Sequence, residues 1–381
     1  MKTGIYSPYL ATYGGGEKYI GKIAEIFSRD NDVSFIVFTK PDFGELESRL
    51  NIDLSRVAID YIRSPALQVG GRIDIFRTFI NFINSHKVSK CTKDYDLFIN
   101  QEHLSPIPSL AKRSFLICEM PPTRWNIRSR LTNNPFTNLI LDPKLKSYDK
   151  VVVNSFFTKK WAERYYEKEV VVLYPPVDTE QFLPATKVNS IISVGRFFTG
   201  GHCKKQIEMI KVFKELYKAN KELNNWEYHL VGGVSRDSIS QKYLKKCQEE
   251  ARGYPVHFHV DAPFEVLREL YGKSQIFWHA TGLGEDEEGH PERMEHFGIT
   301  TIEAMSAGCV PIVINKGGQP EIVRDKIDGF LFETVEELNE CTLRVINDGA
   351  LWRKMSEACI KRSQEFSLEK FERRVKEVFK C

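Results

Sequence analysis

The chain has 381 residues, of which 42% are hydrophobic and 28% are charged. This length suits two domains, and the composition excludes collagen-like, coiled-coil and mainly disordered chains. A formal net charge of +3 is too small to indicate nucleic-acid binding. No apolar run reaches the roughly 18 residues of a membrane-spanning helix, and the first residues lack the apolar stretch of a signal peptide. We therefore expect a cytoplasmic protein.

The eight cysteines are scattered through apolar segments. None forms a Cys-x-x-Cys pair or a zinc-like Cys/His pattern, so we predict reduced thiols and no metal site. Basic residues concentrate in residues 112–150, with eight Lys or Arg against three Asp or Glu. This stretch is either a solvated face or a surface for anionic lipid or for an acceptor that carries phosphate.

Short β-rich runs alternate with helical runs along the first half of the chain. Strands are predicted at Val33–Phe38, Leu97–Asn100, Arg113–Ile117, Val151–Asn154 and Val170–Leu173. Two prolines follow the last of these runs and cannot lie in a central strand, so the first sheet ends there. The domain boundary is expected within residues 175–189, near residue 180.

A second series of strands and helices begins after this boundary. The predicted strands are Ser190–Val194, Tyr228–Val231, Val256–Val260, Ile276–His279 and Val310–Ile314, and the predicted helices are Lys204–Ala219, Phe264–Tyr271, Ile299–Ser306 and Ser367–Phe379. Such alternation is typical of parallel sheets with right-handed crossovers. We predict two doubly wound α/β domains, 1–180 and 181–366, with a C-terminal helix (367–381) that crosses back to the first.

The segment from Glu295 to Gly308 carries the clearest chemical pattern. Gly298 lies where a helix should begin, so the N–H groups of Ile299, Thr300 and Thr301 would form an anion site. One carboxylate lies before this anion site, and a second, Glu303, lies one turn into the helix. Together with the anion site, they suit the sugar, pyrophosphate and ribose of a nucleotide sugar. The alternative is that Thr300 and Glu303 form a capping box and serve only the helix terminus.

This segment resembles family 4 of the retaining glycosyltransferases. The similarity rests on Glu295 and Glu303 at Glu-x7-Glu spacing, on the Phe-Gly between them and on Glu-Ala-Met-Ser-Ala-Gly from Glu303. It extends over the whole chain and is strongest from Ile191 to Phe330. The resemblance implies the GT-B fold, in which two Rossmann-like domains face each other across a cleft. It also implies a donor site mostly in the second domain, with Glu303 on the ribose and Glu295 on the donor sugar.

Arg196 and a lysine after the following Gly-rich loop support the same resemblance. In the family, an Arg and a Lys at such positions hold the donor pyrophosphate, and both side chains suit phosphate. We assign this role to Lys204, which begins the predicted helix, although the adjacent Lys205 is an alternative. The inserted Gly-Gly-His at residues 200–202 makes the loop longer than in many relatives of the family.

Two features of the first domain resemble parts of the same family. Gly14, Gly15 and Gly16 match a Gly-Gly-x-Glu loop whose backbone faces the donor phosphates. Glu119 stands where many family members have a cleft histidine. It could contact a sugar hydroxyl or act as a base, or its role could be structural. His103 is another candidate for contact with the acceptor or sugar.

We therefore interpret the chain as a retaining, metal-independent glycosyltransferase that uses a GDP- or UDP-sugar and needs no cofactor. Glu295, Arg196 and Lys204 would be its catalytic residues, and its acceptor would be a glycan or a lipid-linked glycan. The basic 112–150 stretch would give peripheral contact with a membrane. The alternatives are a catalytically silent nucleotide-sugar-binding partner of a glycosyltransferase complex and a GT-B sugar-nucleotide epimerase.

Overall fold

The computed structural model describes residues 1–8, 10, 14–64, 75–101, 107–121 and 144–380. The chain divides into two compact units, Met1–Pro176 with Glu372–Cys381, and Val177–Phe371. Within the described ranges, none of the helices is both long and apolar enough to span a membrane. The seven cysteines among these residues are all free thiols, and four of them are buried.

A parallel sheet forms the centre of the first unit. Its strands are β1 (Lys2–Tyr6), β2 (Asp32–Val37), β3 (Val57–Tyr61), β4 (Leu97–Asn100), β5 (Arg113–Cys118), β6 (Lys150–Val153) and β7 (Glu169–Val172). Their order is β3-β2-β1-β4-β5-β6-β7. The helices are α1 (Gly15–Ser28), α2 (Phe43–Leu50), α3 (Ile75–Cys91) and α4 (Phe156–Tyr165). The strand order reverses between β1 and β4, which is where ligands bind in doubly wound sheets.

The second unit has its own parallel sheet, in the order β10-β9-β8-β11-β12-β13. The strands are β8 (Val188–Val194), β9 (Glu227–Gly232), β10 (Val256–Val260), β11 (Ser274–His279), β12 (Val310–Ile314) and β13 (Phe330–Phe332). The helices are α5 (Gln206–Ala219), α6 (Ser238–Glu250), α7 (Phe264–Lys273), α8 (Ile299–Ser306), α9 (Gln319–Ile322), α10 (Val335–Asn347) and α11 (Gly349–Ser363). Every residue of β12 is buried, as expected for a strand covered by helices on both faces. The strand order reverses between β8 and β11.

Helix α5 begins two residues later than the sequence predicted. Lys205 is the residue that precedes the helix, and its φ of 57° is left-handed, so Lys204 lies in the loop. The predicted start at Lys204 is therefore wrong, because an apolar periodicity does not report the backbone angle of the residue before a helix.

The last helix, α12 (Leu368–Phe379), carries the chain from the second unit into the first. The ring of Phe379 meets those of Phe27 and Phe115 edge-on, with centroids 5.6 and 4.8 Å apart. Arg113 donates from Nη2 to the carbonyl oxygen of Phe379 at 2.5 Å. The end of the helix is therefore part of the core of the first unit.

Candidate functional site

Three polar side chains meet where β8 and β11 end in the second unit. Lys204 Nζ lies 2.5 Å from Glu295 Oε2, and the two side chains are only 17% and 18% exposed. His279, the last residue of β11, lies on the other side of the same oxygen, with Nε2 at 3.0 Å. An ionised carboxylate can only accept, so His279 donates from Nε2. The cluster lies at the carboxyl ends of strands where the order of the sheet reverses.

Electrostatics keep this cluster as a lysine–carboxylate ion pair beside a neutral histidine. Burial opposes the ionisation of Glu295, but Lys204 and His279 together hold the pKa of its carboxyl well below its usual range. Burial lowers the pKa of His279, against the attraction of Glu295. The cation of Lys204 is thus held close to the strand ends and balanced by one carboxylate.

The turn that carries Arg196 is fixed by close contacts of its backbone. Gln206 Nε2 donates to the carbonyl oxygens of Gly195 and Arg196, at 3.3 and 3.1 Å. A Cβ on Gly232 would lie 2.1 Å from the carbonyl oxygen of Gly195, so the neighbouring strand end must be glycine. The Arg196 guanidinium is exposed and lies 5.2 Å from the ring centroid of Phe198. It forms no ion pair with any residue that the structure describes.

The two adjacent lysines have different partners. Lys205 Nζ lies 2.7 Å from Glu285 Oε1, and Arg293 binds the other oxygen of that carboxylate at 2.9 Å. The hydrogen bonds from Lys205 and Arg293 lower the pKa of Glu285. The structure therefore brings Lys204 to Glu295 and holds Lys205, whose backbone is left-handed, in a separate ion-pair cluster.

The loop that carries Glu295 is supported by two glycines. Gly317 has φ = 63°, and a Cβ there would lie 2.3 Å from the carbonyl oxygen of Glu295. Gly318 donates from its N–H to that same oxygen at 2.8 Å. The Glu295 backbone is thus held by a segment that leaves no room for a side chain.

Gly298 precedes helix α8, at the position where the sequence predicts an anion site. Gly298 has φ = 123°, and a Cβ there would lie 2.4 Å from Gln319 Nε2, so glycine is required on two grounds. Thr301 Oγ1 donates to Gln319 Oε1 at 2.9 Å and fixes that side chain. The N–H groups of Ile299 and Thr300 belong to the first turn, where no earlier helical carbonyl accepts from them. Both are suited to an anion. The prediction is wrong for the Thr301 N–H, because that group donates to the carbonyl oxygen of Gly298 at 3.0 Å.

Glu303 lies on α8 and is oriented by a tyrosine from another helix. Tyr271, on α7, donates from its hydroxyl to Glu303 Oε2 at 3.2 Å, and the same hydroxyl lies 3.2 Å from the carbonyl oxygen of Thr300. The capping-box alternative is wrong, because the residue that precedes the helix is Gly298 and not Thr300. Glu303 is the fifth residue of the helix, two positions beyond the third residue that completes a capping box.

In the first unit, a polar network lies at the ends of β1, β4 and β5. Ser7 Oγ donates to Gln101 Oε1 at 2.6 Å, while Gln101 Nε2 lies 3.0 Å from both Glu119 Oε1 and the carbonyl oxygen of Gly16. A Cβ on Gly16 would lie 2.2 Å from Glu119 Oε1. Burial raises the pKa of Glu119, with a further contribution from the charge of Glu17 and opposition from Gln101.

The glycine run of the first unit opens helix α1. Gly14 precedes the helix, Gly15 is its first residue, and Glu17 Oε2 accepts from the Gly14 N–H at 2.6 Å. Two of the predicted features involve residues that the structure does not describe. One is His103, and the other is residues 122–143, which form most of the basic 112–150 stretch.

Sequence reasoning did not assign His279, Tyr271 or Gln319 to the site. His279 had one usable signal, its position at the end of a predicted strand in the second domain. Tyr271 and Gln319 had none, since each reaches the site through a contact between elements that are distant in the chain. His279 and Tyr271 bind Glu295 and Glu303, which the sequence did identify, and Gln319 accepts from the Thr301 hydroxyl beside Gly298.

Residues 177–366 match the family model described as "Glycosyl transferases group 1". The chain is 26% identical to a GDP-Man:Man(3)GlcNAc(2)-PP-Dol alpha-1,2-mannosyltransferase from Xenopus laevis, over 87% of this chain and 77% of the relative. A protein of the same name from Dictyostelium discoideum is 27% identical over 51% of this chain and 40% of its own length. The chain thus spans well under two thirds of some relatives. Alpha-1,3/1,6-mannosyltransferase ALG2 from Candida glabrata is 28% identical, over 65% and 63% of the two chains.

Two solved structures resemble the whole chain. Sucrose-phosphate synthase from Thermosynechococcus elongatus has a TM-score of 0.71 at 16% identity, covering 100% of this chain and 98% of the other. Anabaena Alr3699/HepE in complex with UDP and glucose has a TM-score of 0.71 at 14% identity, covering 100% of both chains. At such identities the likeness concerns the fold. It confirms the predicted class, GT-B with two Rossmann-like domains.

Proposed function

We propose that the chain, which has the GT-B fold, is a glycosyltransferase that transfers mannose from GDP-mannose to a lipid-linked oligosaccharide. The mannosyltransferases among its relatives support this donor and acceptor, since their names specify GDP-Man and a diphosphate-linked dolichol glycan. The Glu-x7-Glu spacing of Glu295 and Glu303 further supports a place in family 4 of the retaining enzymes. In GDP-mannose the sugar is α-linked, so a retaining enzyme makes an α-mannoside.

One observation carries the proposal. Four groups suited to a sugar diphosphate belong to one strand-end region of the second unit: Arg196, Lys204, the N-terminus of α8 after Gly298, and Glu303. Two are cations, one is a row of backbone donors, and the last is a carboxylate that Tyr271 orients. The pyrophosphate would bind to the cations and the N–H groups. Glu303 would accept from the ribose hydroxyls.

In the proposed reaction, negative charge develops on the leaving diphosphate. The bond between the anomeric carbon of mannose and the phosphate oxygen breaks, and a bond from that carbon to the acceptor oxygen forms on the same face. The leaving phosphate takes the proton of the acceptor hydroxyl. Arg196 and Lys204 would stabilise the growing charge on GDP, which is electrostatic catalysis by fixed cations and requires no metal ion. Glu295 would accept from a hydroxyl of the mannose.

The acceptor is expected to contact the first unit. Glu119, with its raised pKa, is the candidate there for a sugar hydroxyl or for a proton-accepting role. His103 and the basic 112–150 stretch are further candidates, the latter for a lipid phosphate or a membrane surface. It stays a prediction that the backbone of Gly14, Gly15 and Gly16 binds the donor. The cytoplasmic location also stays a prediction.

The direct test asks which donor the protein uses and which anomer it makes. Purified protein is incubated with a polyprenyl-diphosphate-linked oligosaccharide and with GDP-mannose or UDP-glucose, and released nucleotide and the glycan product are measured. We expect GDP release, and a product whose anomeric proton identifies an α-mannoside. Transfer of glucose alone would contradict the donor assignment, and a β-linked product would contradict retention.

A matched variant tests the ribose contact. Glu303→Gln should bind GDP-mannose about tenfold more weakly, because a charge-assisted hydrogen bond to the ribose becomes a neutral one. Wild type should prefer GDP-mannose over its 2′-deoxy analogue, and the variant should lose most of this preference. Tyr271→Phe should show a smaller loss of the same kind. If Glu303→Gln kept the full preference for ribose, the assignment of Glu303 would be wrong.

A further inference from the structure

The turn at residues 200–203 brings a histidine to the donor site. The N–H of Cys203 donates to the carbonyl oxygen of Gly200 at 3.2 Å and closes the turn. A Cβ on Gly201 would lie 3.2 Å from the carbonyl oxygen of Glu292, so the turn rests on the segment that precedes Glu295. His202 lies between these contacts and is half-buried.

His202 is surrounded by rings and by the charges of the site. Its ring meets Phe198 edge-on, with centroids 5.3 Å apart, and lies 5.9 Å from the ring of His296. The Arg196 guanidinium lies over the same Phe198 ring. Burial lowers the pKa of His202, Lys204 and Arg196 lower it further, and Glu295 opposes them. These surroundings therefore favour the neutral form of the His202 imidazole, which lies near two cations.

We propose that His202 is a donor-binding residue that takes up a proton when the sugar diphosphate binds, and that it contacts the diphosphate as an imidazolium. The proposal rests on the proposed function, because the diphosphate is what changes the charge of the site. An arriving diphosphate brings two negative charges next to Arg196 and Lys204. The repulsion from Lys204 and Arg196, which adds to the effect of burial on His202, is then offset by the diphosphate, and an imidazolium becomes a third cation on the leaving group.

The proton uptake predicts a specific pH dependence. The pKa of His202 is below its usual value in the free protein, and it should rise when the diphosphate binds. Donor affinity should therefore increase as the pH falls through the interval between these two pKa values, by up to tenfold per pH unit. The intact donor is a diester of diphosphate without a titrating oxygen in the neutral range, so the change belongs to the protein.

The experiment is calorimetric titration of the full chain with GDP-mannose, and in parallel with UDP-glucose, between about pH 6 and pH 8. Buffers with different ionisation enthalpies report the protons taken up. Wild type should bind about tenfold more tightly at the lower pH, with net proton uptake. His202→Gln should lose this dependence and match wild type at the higher pH. His202→Lys should bind tightly at every pH. His257→Gln, on β10, is the control and should behave as wild type.

Each outcome has one meaning. A wild-type protein that binds neither sugar nucleotide overturns the proposed function. If wild type binds and His202→Gln keeps the pH dependence, His202 is not the proton acceptor and this inference is wrong. If His202→Gln weakens binding equally at both pH values, the residue only supports the turn, which also overturns the inference. Loss of the pH dependence in His202→Gln together with pH-independent tight binding in His202→Lys supports it.

Discussion

Replacing Lys204 by alanine should damage catalysis much more than the same change at Lys205. Both lysines make a partly buried ion pair, Lys204 with Glu295 and Lys205 with Glu285, and their side chains are 17% and 15% exposed. The two variants therefore lose a similar ion pair within the protein. Only Lys204 lies in the cluster at the ends of β8 and β11, where we propose that the diphosphate binds.

The expected magnitudes follow from these partners. A charge-assisted hydrogen bond contributes about 1.5–3 kcal/mol, and about 1.4 kcal/mol corresponds to a factor of ten. Lys204→Ala should therefore lower kcat/KM roughly ten- to hundredfold. Much of the loss should appear in kcat, because charge on the leaving group grows toward the transition state. Lys205→Ala should stay within about threefold of wild type, since Glu285 keeps its bond to Arg293.

The assay is initial-rate kinetics with GDP-mannose, combined with urea unfolding of each variant. The unfolding free energy separates a folding effect from a catalytic one. Both alanine variants should lose a similar amount of it, at most about 3 kcal/mol, so a difference in kcat/KM between them is catalytic. Damage to kcat/KM by Lys205→Ala that equals or exceeds that of Lys204→Ala would refute the assignment. Normal turnover in both variants, and in Arg196→Ala, would remove the diphosphate site from this part of the second unit.

Three further predictions concern the same unit. Gly298→Ala should destabilise the protein by about 2 kcal/mol or more, since φ = 123° and the clash with Gln319 act together, whereas Gly253→Ala, with φ = 84° and open space around it, should cost about 1 kcal/mol in urea unfolding. The depressed pKa of Glu295 means that its pair with Lys204 stabilises the fold above the ordinary carboxyl pKa of about 4.3, and that this contribution is lost as the pH falls through the folded-state value. Unfolding between about pH 2.5 and 6 should therefore show a shallower acid decline for Glu295→Gln than for wild type, and equal slopes would contradict the pairing. Turnover should persist in EDTA, and activity that EDTA abolishes and manganese restores would disprove metal independence.

Much of the second unit follows from local sequence. Helix α8 (Ile299–Ser306) and strand β12 (Val310–Ile314) have the predicted bounds. The helix is indicated by the glycine before it, and the strand by a short apolar run before a glycine-rich turn. Each of these signals lies within a few residues of the element that it predicts. The same local signals identified Glu295, Glu303 and Gly298 as a group, because the three lie within nine residues.

The tertiary structure alone decided which partner each of these side chains has. Lys204 and Glu295 are 91 residues apart in sequence, and Tyr271 and Glu303 are 32 apart. Lys204 pairs with Glu295 and Lys205 with Glu285, and neither partner is a neighbour in the sequence. His279 is buried at the end of a strand that lies between two others. Periodicity reports which face of an element is apolar. It carries no information on which distant elements that face meets, so the sequence determined the strands, the helices and the chemical groups, and packing of the sheet determined their pairing.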